Sequence, residues 1–286
     1  MPHEQSRSGT QDPRQDGGVE SRGARWLAGL AGSGRQLAGF VPSVRVVDAW
    51  LGGELARYLA VVPDARNPFP RASKGEVGLL EGWELARAVR EVVDADAAGP
   101  GRRPIVAVID VPSQAYGRRE EAYGIHLCLA GAAAAYAEAR LAGHPVIGLI
   151  VGKAMSGGLL AHGYQANRLI ALDDPGVMVH AMGKEAAARV TLRSVAQLEA
   201  LAATIPPMAY DIESFARLGL LWRVLHGVRA DAPAQEDFAA AAAALEQALA
   251  SIRADADSSL ACRVNPAGRK MSHDVRARLR SLWQDR

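Results

Sequence analysis

The sequence predicts an α/β protein built on a mainly parallel sheet, and three observations support this prediction. Continuous apolar runs at Ile105 to Val111 and at Val146 to Val151 are typical of strands buried on both faces. A helical pattern from Glu120 to Ala142 lies between them, and helices that alternate with buried strands favour parallel pairing. The chain has 286 residues, of which 49% are hydrophobic, so it can bury a sizeable core.

Three elements are predicted before the first buried strand. Residues 1–40 are rich in Gly, Gln, Arg and Ser, which predicts a disordered arm in which only Trp26 to Leu30 could form a short docking segment. Two short runs of mixed polarity flank Gly52-Gly53 between Ser43 and Val62, and this pattern predicts a β-hairpin. A helix is expected from about Glu76 to Asp94.

The remainder of the chain is predicted to finish the sheet and then become helical. A glycine-rich turn leads from the second buried strand into a helix that ends near Gln165. The further predicted elements are strands at 168–172, 176–180 and 221–225, and helices at 195–203, 212–218, 234–253 and in the basic tail. We therefore predict an arm at 1–40, a catalytic-type domain at 41–228 and a helical extension at 229–286.

The composition limits the partners and the compartment. The 33 basic and 31 acidic residues nearly cancel, which gives no reason to expect a nucleic-acid partner. The two cysteines, Cys128 and Cys262, form no Cys-x-x-Cys or Cys/His cluster, so no metal site is expected and a reducing cytoplasm fits best. The sequence contains neither an apolar run of about 18 residues nor a signal pattern, so we expect no membrane span.

Two strand-to-helix junctions are the places where chemistry is expected. One is Val111 to Gly117, and the other is Gly152 to Gly158. Ligands of parallel α/β sheets bind outside the carboxyl ends of the strands. A glycine-rich turn that enters a helix lets backbone N–H groups approach a phosphate or an oxyanion. Because the two junctions follow successive buried strands, they predict one shared binding site.

These junctions also carry a resemblance to a known family. The segment Gly152 to Gly158 resembles the second half of the carboxyltransferase pattern of acyl-CoA carboxylases, and Asp110 to Glu121 resembles the loop and helix of the same pattern. Over residues 42–228 the chain is similar in detail to the γ subunits of malonate decarboxylases, notably at Ile205 to Val224. The resemblance implies a crotonase/ClpP-like superhelical ββα fold of the carboxyltransferase type.

The sequence departs from the carboxyltransferase pattern at two places. Ser113 replaces a glycine of the first loop, and Val179-His180-Ala181 stands where carboxyltransferases often carry Ser-Pro-Glu. Both departures argue against transfer of a carboxyl group to biotin. Neither conflicts with the fold that the resemblance implies.

The resemblance further implies a reaction that two subunits share. A β subunit and this γ-type chain would decarboxylate a malonyl thioester to an acetyl thioester and CO₂ through an enolate held by backbone donors. The thioester would be carried on the pantetheine-type prosthetic group, phosphoribosyl-dephospho-CoA, of an acyl-carrier protein. No cofactor or metal bound by this chain is expected.

The predicted site residues come from the two junctions and the segment that follows them. The candidate catalytic residues are Ser156, Gly157, Gly158, His180 and His162. The candidate substrate-binding residues are Pro112, Ser113, Gln114, Tyr116, Gly117 and Met155. Lys153 and Lys184 are candidates for contact with a phosphate of the prosthetic arm, and His162 could equally be a core histidine. The backbone donors could hold either the enolate or the departing carboxylate.

Two other functions are compatible with parts of the sequence. The segment Gly152 to Gly158 also matches the nucleophile motif of Clp-type serine proteases, with His180 at a suitable spacing from Ser156 for a catalytic dyad. Against the protease, the stretch from Pro112 to Ser156 is longer than in those enzymes. The chain could also be a catalytically passive partner of a carboxyltransferase β subunit.

Overall fold

The computed structural model describes residues 20–263 and 267–284, and one mainly parallel sheet forms the centre of the fold. Its strands are β1 Arg35–Gln36, β2 Val44–Leu51, β3 Glu54–Val61, β4 Ile105–Val111, β5 Val146–Met155, β6 Arg168–Leu172, β7 Met178–His180 and β8 Arg223–Leu225. The spatial order is β1-β2-β3-β4-β5-β6-β8, and β7 pairs with the second half of β5. Within the described part of the chain, only the β1–β2 and β2–β3 pairs are antiparallel, which confirms the predicted fold class.

Helices cover the sheet and extend the chain beyond it. They are α1 Arg22–Ala31, α2 Leu79–Asp96, α3 Arg118–Ala122, α4 Ile125–Leu141, α5 Ser156–Ala161, α6 Lys184–Thr191, α7 Val195–Ala202, α8 Ile212–Arg217, α9 Gln235–Arg253 and α10 Lys270–Gln284. Helices α2 and α4 pack on each other, and α1 packs against α9 as well as against β2 to β5. Among the described residues, no helix has both the length and the apolar character that a membrane crossing requires.

The hairpin and the buried strands follow the predictions closely. Gly52 and Gly53 connect β2 to β3 with φ angles of 55° and 83°, a backbone conformation that glycine adopts without strain. Strand β4 is buried at every position except Asp110, as expected for a parallel strand covered on both faces. The apolar side chains of this strand are therefore buried within this chain.

The elements around the two junctions differ from the prediction. The helix predicted from Glu120 to Ala142 is two helices, α3 and α4, because Gly124 adopts a left-handed conformation with φ of 79° between them. Strand β5 continues through Gly152 to Met155, because β7 provides pairing partners for Lys153 to Met155. The segment predicted as a glycine-rich turn is therefore divided between the end of β5 and the first turn of α5, which begins at Ser156.

The N-terminal segment is ordered where the sequence predicted a disordered arm. The arm prediction is wrong for Arg22–Ala31, which forms α1, and for Arg35–Gln36, which forms β1 and pairs with β2. Residues 1–19 lie outside the described residues. Trp26 is fully buried, its Nε1–H donates to the Ala230 carbonyl at 2.9 Å, and its ring meets Phe238 edge to face at 5.1 Å. These partners lie about 200 positions away in sequence, so local composition could not indicate them. The possible docking segment at Trp26 to Leu30 lies within α1, which packs on the rest of the fold.

The C-terminal part contains one packed helix and one exposed helix. The Ala-rich helix α9 buries residues such as Ala244, Leu245 and Leu249 in the core. Helix α10 contains no buried residue. The boundary at 229 that separates a helical extension from the catalytic-type domain stays a prediction. Cys128 is half-buried and Cys262 is exposed, and both are free thiols.

Candidate active site

The two junctions and the end of β7 meet at one edge of the sheet. Strands β4, β5 and β7 run parallel and end at Val111, Met155 and His180, so the segments that follow them lie side by side. This edge brings together most of the predicted site: Pro112, Ser113, Gln114, Tyr116, Gly117, Met155, Ser156, Gly157, Gly158 and His180. We call Pro112 to Gly117 the first loop, and we call Ser156 to Gly158, which form the first turn of α5, the second loop.

The first loop and the second loop are in direct contact. The Gly157 N–H donates to Oε1 of Gln114 at 2.7 Å. A Cβ placed on Gly158 would lie 2.6 Å from the backbone carbonyl oxygen of Ser113, closer than real Cβ contacts come. Glycine at 158 therefore permits the close approach of the two backbones, and the Gln114 side chain links the loops.

The first loop is held in place from its other side by the segment before α2. The Val77 N–H donates to the Ser113 carbonyl at 3.0 Å, and the Ala115 N–H donates to the Val77 carbonyl at 2.8 Å. The buried carboxylate of Glu81 then accepts hydrogen bonds from Asn67 Nδ2 at 2.7 Å and from the Gly78 N–H at 3.0 Å. Sequence reasoning missed Glu81, although an acidic residue in the first turn of a helix is a usual capping signal.

Asp110 connects the site to the N-terminal helix. Its Oδ1 accepts the Lys153 N–H at 3.1 Å, and its Oδ2 accepts the Gly23 N–H of α1 at 3.1 Å. A side chain at Gly152 would collide with this carboxylate, since the Cβ position lies 2.1 Å from Oδ1. The signal that could have found this contact is a lone carboxylate near the end of an otherwise apolar strand.

Ser156 adopts an unusual backbone conformation. Its φ angle is 55°, in the left-handed region that few residues with side chains enter. Its hydroxyl donates to the Ala181 carbonyl at 2.7 Å and so ties the second loop to the segment after β7. The hydroxyl is therefore bonded to a carbonyl and not to the His180 imidazole that a protease dyad would require.

His180 is oriented by an aromatic stack. Its ring lies 3.9 Å from the Tyr210 ring at an interplanar angle of 12°, and the Tyr210 hydroxyl donates to the Met182 carbonyl at 2.7 Å. Nδ1 contacts the backbone of Met182, while Nε2 has no hydrogen-bond partner among the described residues. Burial lowers the pKa of His180, so the imidazole is neutral at neutral pH. Tyr210 was not predicted from the sequence.

His162 lies in the core and not at the site edge. It is fully buried, with Nδ1 at 3.0 Å from the Tyr136 hydroxyl and Nε2 at 3.0 Å from the Val108 carbonyl. Burial lowers the pKa of His162 to about 4, so the ring is neutral at physiological pH. Because both ring nitrogens are occupied, the structure does not place His162 in contact with substrate, and we correct this catalytic prediction to a core role.

The two predicted phosphate contacts have different surroundings. Lys184 forms an ion pair with Glu199 at 2.8 Å and lies over the Tyr210 ring. The Lys153 side chain is exposed. A cavity of about 430 Å³ opens beside Lys184, and Met178 and Tyr210 contribute to its wall. The His180 stack and this cavity therefore share the Tyr210 ring.

One group of side chains in the described residues has ligand atoms close enough together for a metal ion. It consists of Asp173, Glu213 and His226, whose ligand atoms lie within 4.8 Å of one another. All three are exposed, and His226 already contacts Asp173 at 2.8 Å. We assign no metal to this surface group, because metal sites in proteins are usually held by a supporting shell of hydrogen bonds.

Comparison of the sequence with known proteins identifies related families. Residues 72–283 match the family described as malonate decarboxylase gamma subunit. The malonyl-S-ACP:biotin-protein carboxyltransferase MADD of Malonomonas rubra is 34% identical over 182 residues. That alignment covers 62% of this chain and 62% of the relative, so the chain spans less than two thirds of this curated protein.

Solved structures extend the similarity over nearly the whole chain. A chain of a Pseudomonas malonate decarboxylase hetero-tetramer in complex with coenzyme A is 61% identical, with a TM-score of 0.87 and coverage of 92% of this chain and 100% of that one. A chain of the Pseudomonas MdcD-MdcE hetero-dimer is 58% identical, with a TM-score of 0.84 and coverage of 92% and 99%.

A more distant solved structure shows the type of fold. Transcarboxylase 12S is 22% identical with a TM-score of 0.61 over 82% of this chain and 42% of that one, a similarity of fold alone. The fold is therefore of the carboxyltransferase type, as the resemblance implied. Together with the match over residues 72–283, these findings show that the chain belongs to the malonate decarboxylase gamma subunit family.

Proposed function

We propose that this chain and a β-type subunit together decarboxylate a malonyl thioester carried by an acyl-carrier protein. The observation that carries the proposal is the contact between the first and second loops, where the Gly157 N–H donates a hydrogen bond to Gln114 at 2.7 Å. The chain in which this contact occurs belongs to the gamma subunit family. A backbone donor at a strand end is where negative charge can be stabilised. The 61% identical relative was crystallised as a hetero-tetramer with coenzyme A, which supports a thioester substrate and a multi-subunit enzyme.

The proposed reaction breaks one carbon–carbon bond. The bond between the carboxylate carbon and the α-carbon breaks, CO₂ leaves, and the electron pair forms an enolate whose charge lies on the thioester oxygen. A proton is then added to the α-carbon to give the acetyl thioester. One preorganised hydrogen bond to such an oxyanion typically lowers the barrier by about 2.7–4 kcal/mol.

The Gln114 side chain marks the proposed position of a substrate oxygen. Its Oε1 accepts the Gly157 N–H in the free chain and occupies the position that a substrate oxygen would take. A substrate oxygen that replaces Oε1 would gain the backbone donor, and the released Gln114 amide could donate to the same substrate. This oxygen is either that of the enolate or that of the departing carboxylate.

His180 is the proposed proton donor of this chain. The Tyr210 stack fixes its ring at the same edge as Ser156, and Nε2 is the nitrogen left for a substrate. Its lowered pKa means that the ring is neutral, so as Nε2 gives its proton to the α-carbon a water molecule must return a proton to the ring, which leaves hydroxide in the solvent. The β-type subunit would complete the remainder of the site.

The carrier and the compartment are also proposals. We infer that the malonyl group is held on an acyl-carrier protein, since the M. rubra relative acts on malonyl-S-ACP by its name. The resemblance to malonate decarboxylase γ subunits implies that the prosthetic group of this carrier is phosphoribosyl-dephospho-CoA. The higher identity to the Pseudomonas malonate decarboxylase chains than to this biotin-dependent relative favours a biotin-independent system. The two free cysteines fit a cytoplasmic location.

Co-expression with the β-type subunit tests the proposal. The purified complex is expected to release CO₂ from malonyl-S-carrier and to leave acetyl-S-carrier, measured by mass spectrometry of the carrier. The chain alone is expected to give no turnover, because the β-type subunit supplies the other part of the site. Full activity of the isolated chain, or none in the complex, would contradict the proposal.

Ser156→Ala separates the decarboxylase from a serine protease. The variant complex is expected to retain decarboxylation with a loss of about 10-fold, the scale of one hydrogen bond, because only the bond to the Ala181 carbonyl is removed. The measurement is kcat for malonyl-S-carrier. A protease would instead lose all peptide cleavage, and its Ser156 would react stoichiometrically with a fluorophosphonate probe.

A further inference from the structure

Five exposed basic residues lie around the outer end of the first loop. Arg118 and Arg119 begin α3 directly after Gly117, and the others lie in the segment that precedes α2. We call this group the basic rim, and its members are Arg66, Arg71, Lys74, Arg118 and Arg119. The rim is thus built from two segments that are about 50 positions apart in sequence.

Direct contacts bring these two segments together beside the first loop. The Arg119 guanidinium lies 4.7 Å from the centre of the Phe69 ring, and its Nη1 is 3.4 Å from the Pro68 carbonyl. A Cβ on Gly117 would lie 3.6 Å from Cγ of Arg71. The basic rim is therefore one surface that adjoins the predicted substrate loop.

The charges of the basic rim are not neutralised within the described chain. None of the five side chains has a carboxylate oxygen of a described residue within 4.0 Å. The nearby carboxylates of Asp64 and Glu76 accept the backbone N–H groups of Arg66 and Lys74, each at 3.0 Å. Elsewhere on the surface, Arg253 pairs with Glu54 at 2.6 Å. On α3 the carboxylate of Glu120 is buried and that of Glu121 is exposed, so exposed basic side chains still outnumber exposed carboxylates at the rim. Such an excess of positive charge beside a substrate loop creates a field that attracts an anionic partner.

We propose that the basic rim docks the negatively charged surface of the carrier protein that delivers the malonyl thioester. This inference rests on the proposed function, because a thioester on a tethered arm reaches the first loop only if its carrier docks within the reach of that arm. Tyr116 and Tyr123 are 57% and 65% exposed next to the rim. Tyrosine and arginine are the residue types enriched at the energetic centres of protein interfaces.

Charge reversal on the basic rim tests the proposal. Arg71→Glu with Arg118→Glu changes two exposed side chains that make no hydrogen bond among the described residues, so the fold is not expected to suffer. The matched control is Arg276→Glu with Arg278→Glu, which makes the same charge change on the exposed helix α10. Both variants are prepared as complexes with the β-type subunit. Each complex is assayed with malonyl-S-carrier and with malonyl N-acetylcysteamine thioester, which has no carrier protein and no phosphate.

The rim variant is expected to lose about 10-fold or more in kcat/KM for malonyl-S-carrier at low salt, because steering and docking of an anionic partner depend on these charges. The loss should shrink as salt rises and screens the charges. The rim variant should match the unmodified complex on the short thioester, and the control variant should match it on both substrates. Binding of a fluorescently labelled carrier gives the same comparison without turnover.

Several results would overturn the proposal. One is unchanged carrier binding by the rim variant, and another is an equal loss on both substrates, which would place the rim in the chemistry. Failure of the rim variant to co-purify with the β-type subunit would make the rim a subunit contact instead. If the unmodified complex decarboxylates neither substrate, the proposed function fails, and the labelled-carrier measurement still decides the docking proposal.

Discussion

Replacing Gly158 with alanine is expected to reduce decarboxylation by about 100-fold, the scale of a displacement of about 1 Å at a reacting centre. The added Cβ would lie 2.6 Å from the Ser113 carbonyl oxygen and 2.9 Å from the Ser113 carbonyl carbon, both of which are backbone atoms. A backbone cannot rotate away as a side chain can, so the first and second loops must separate. The measurement is kcat of the complex with malonyl-S-carrier.

The neighbouring glycine provides the matched control. A Cβ on Gly157 would lie 3.2 Å from Oε1 of Gln114, the end of a side chain that can move. Neither glycine has a φ angle in the left-handed region, so alanine is compatible with the local backbone at both positions. Gly157→Ala is expected to keep activity within about 10-fold. A folded Gly158→Ala complex as active as the Gly157→Ala complex would show that the distance between the loops is unimportant.

Replacing Trp26 with alanine is expected to lower the free energy of unfolding by about 3–5 kcal/mol, the range for a large buried aromatic side chain. The indole is fully buried, it packs on Phe238, and its Nε1–H satisfies the Ala230 carbonyl. Removing it leaves a cavity between α1 and α9 and an unpaired carbonyl. Chemical denaturation followed by circular dichroism measures the change.

Trp50 provides the control for the tryptophan change. It is 71% exposed on β2, so Trp50→Ala is expected to change the unfolding free energy by no more than about 0.5 kcal/mol. Deleting residues 1–33 should reproduce the instability of Trp26→Ala, because it removes α1. Equal stability of the Trp26→Ala and Trp50→Ala proteins would mean that α1 is not a structural part of the fold.

Local patterns were sufficient to predict the elements that are defined by their own residues. Gly52-Gly53 between two short runs predicted the hairpin, and the apolar run from Ile105 to Val111 predicted a buried strand with those bounds. The two junctions, Val111 to Gly117 and Gly152 to Gly158, were predicted to share one site, and the structure places them at one edge, although the second strand ends at Met155 and not at Val151. In each case the interactions that determine the element lie within about ten residues, in a turn or in the burial of one strand.

Contacts between distant residues were not predictable from one sequence. The burial of Trp26 depends on Ala230 and Phe238, and the core position of His162 depends on Tyr136 and Val108. A histidine a few residues after a glycine-rich turn looks the same in sequence whether its ring faces the substrate or the core. Only the tertiary structure shows that both of its nitrogens are already bonded.

The contact of α1 with Ala230 and α9 has a consequence for synthesis on the ribosome. Helix α1 is made early, but the Ala230 carbonyl that accepts the Trp26 hydrogen bond is made 204 residues later. At translation rates of about 5–20 residues per second, this delay is roughly 10–40 s. During that time β2 to β5 can already cover part of α1, but the face that carries Trp26 and packs on α9 still lacks its partner, so this face is a candidate binding site for a ribosome-associated chaperone.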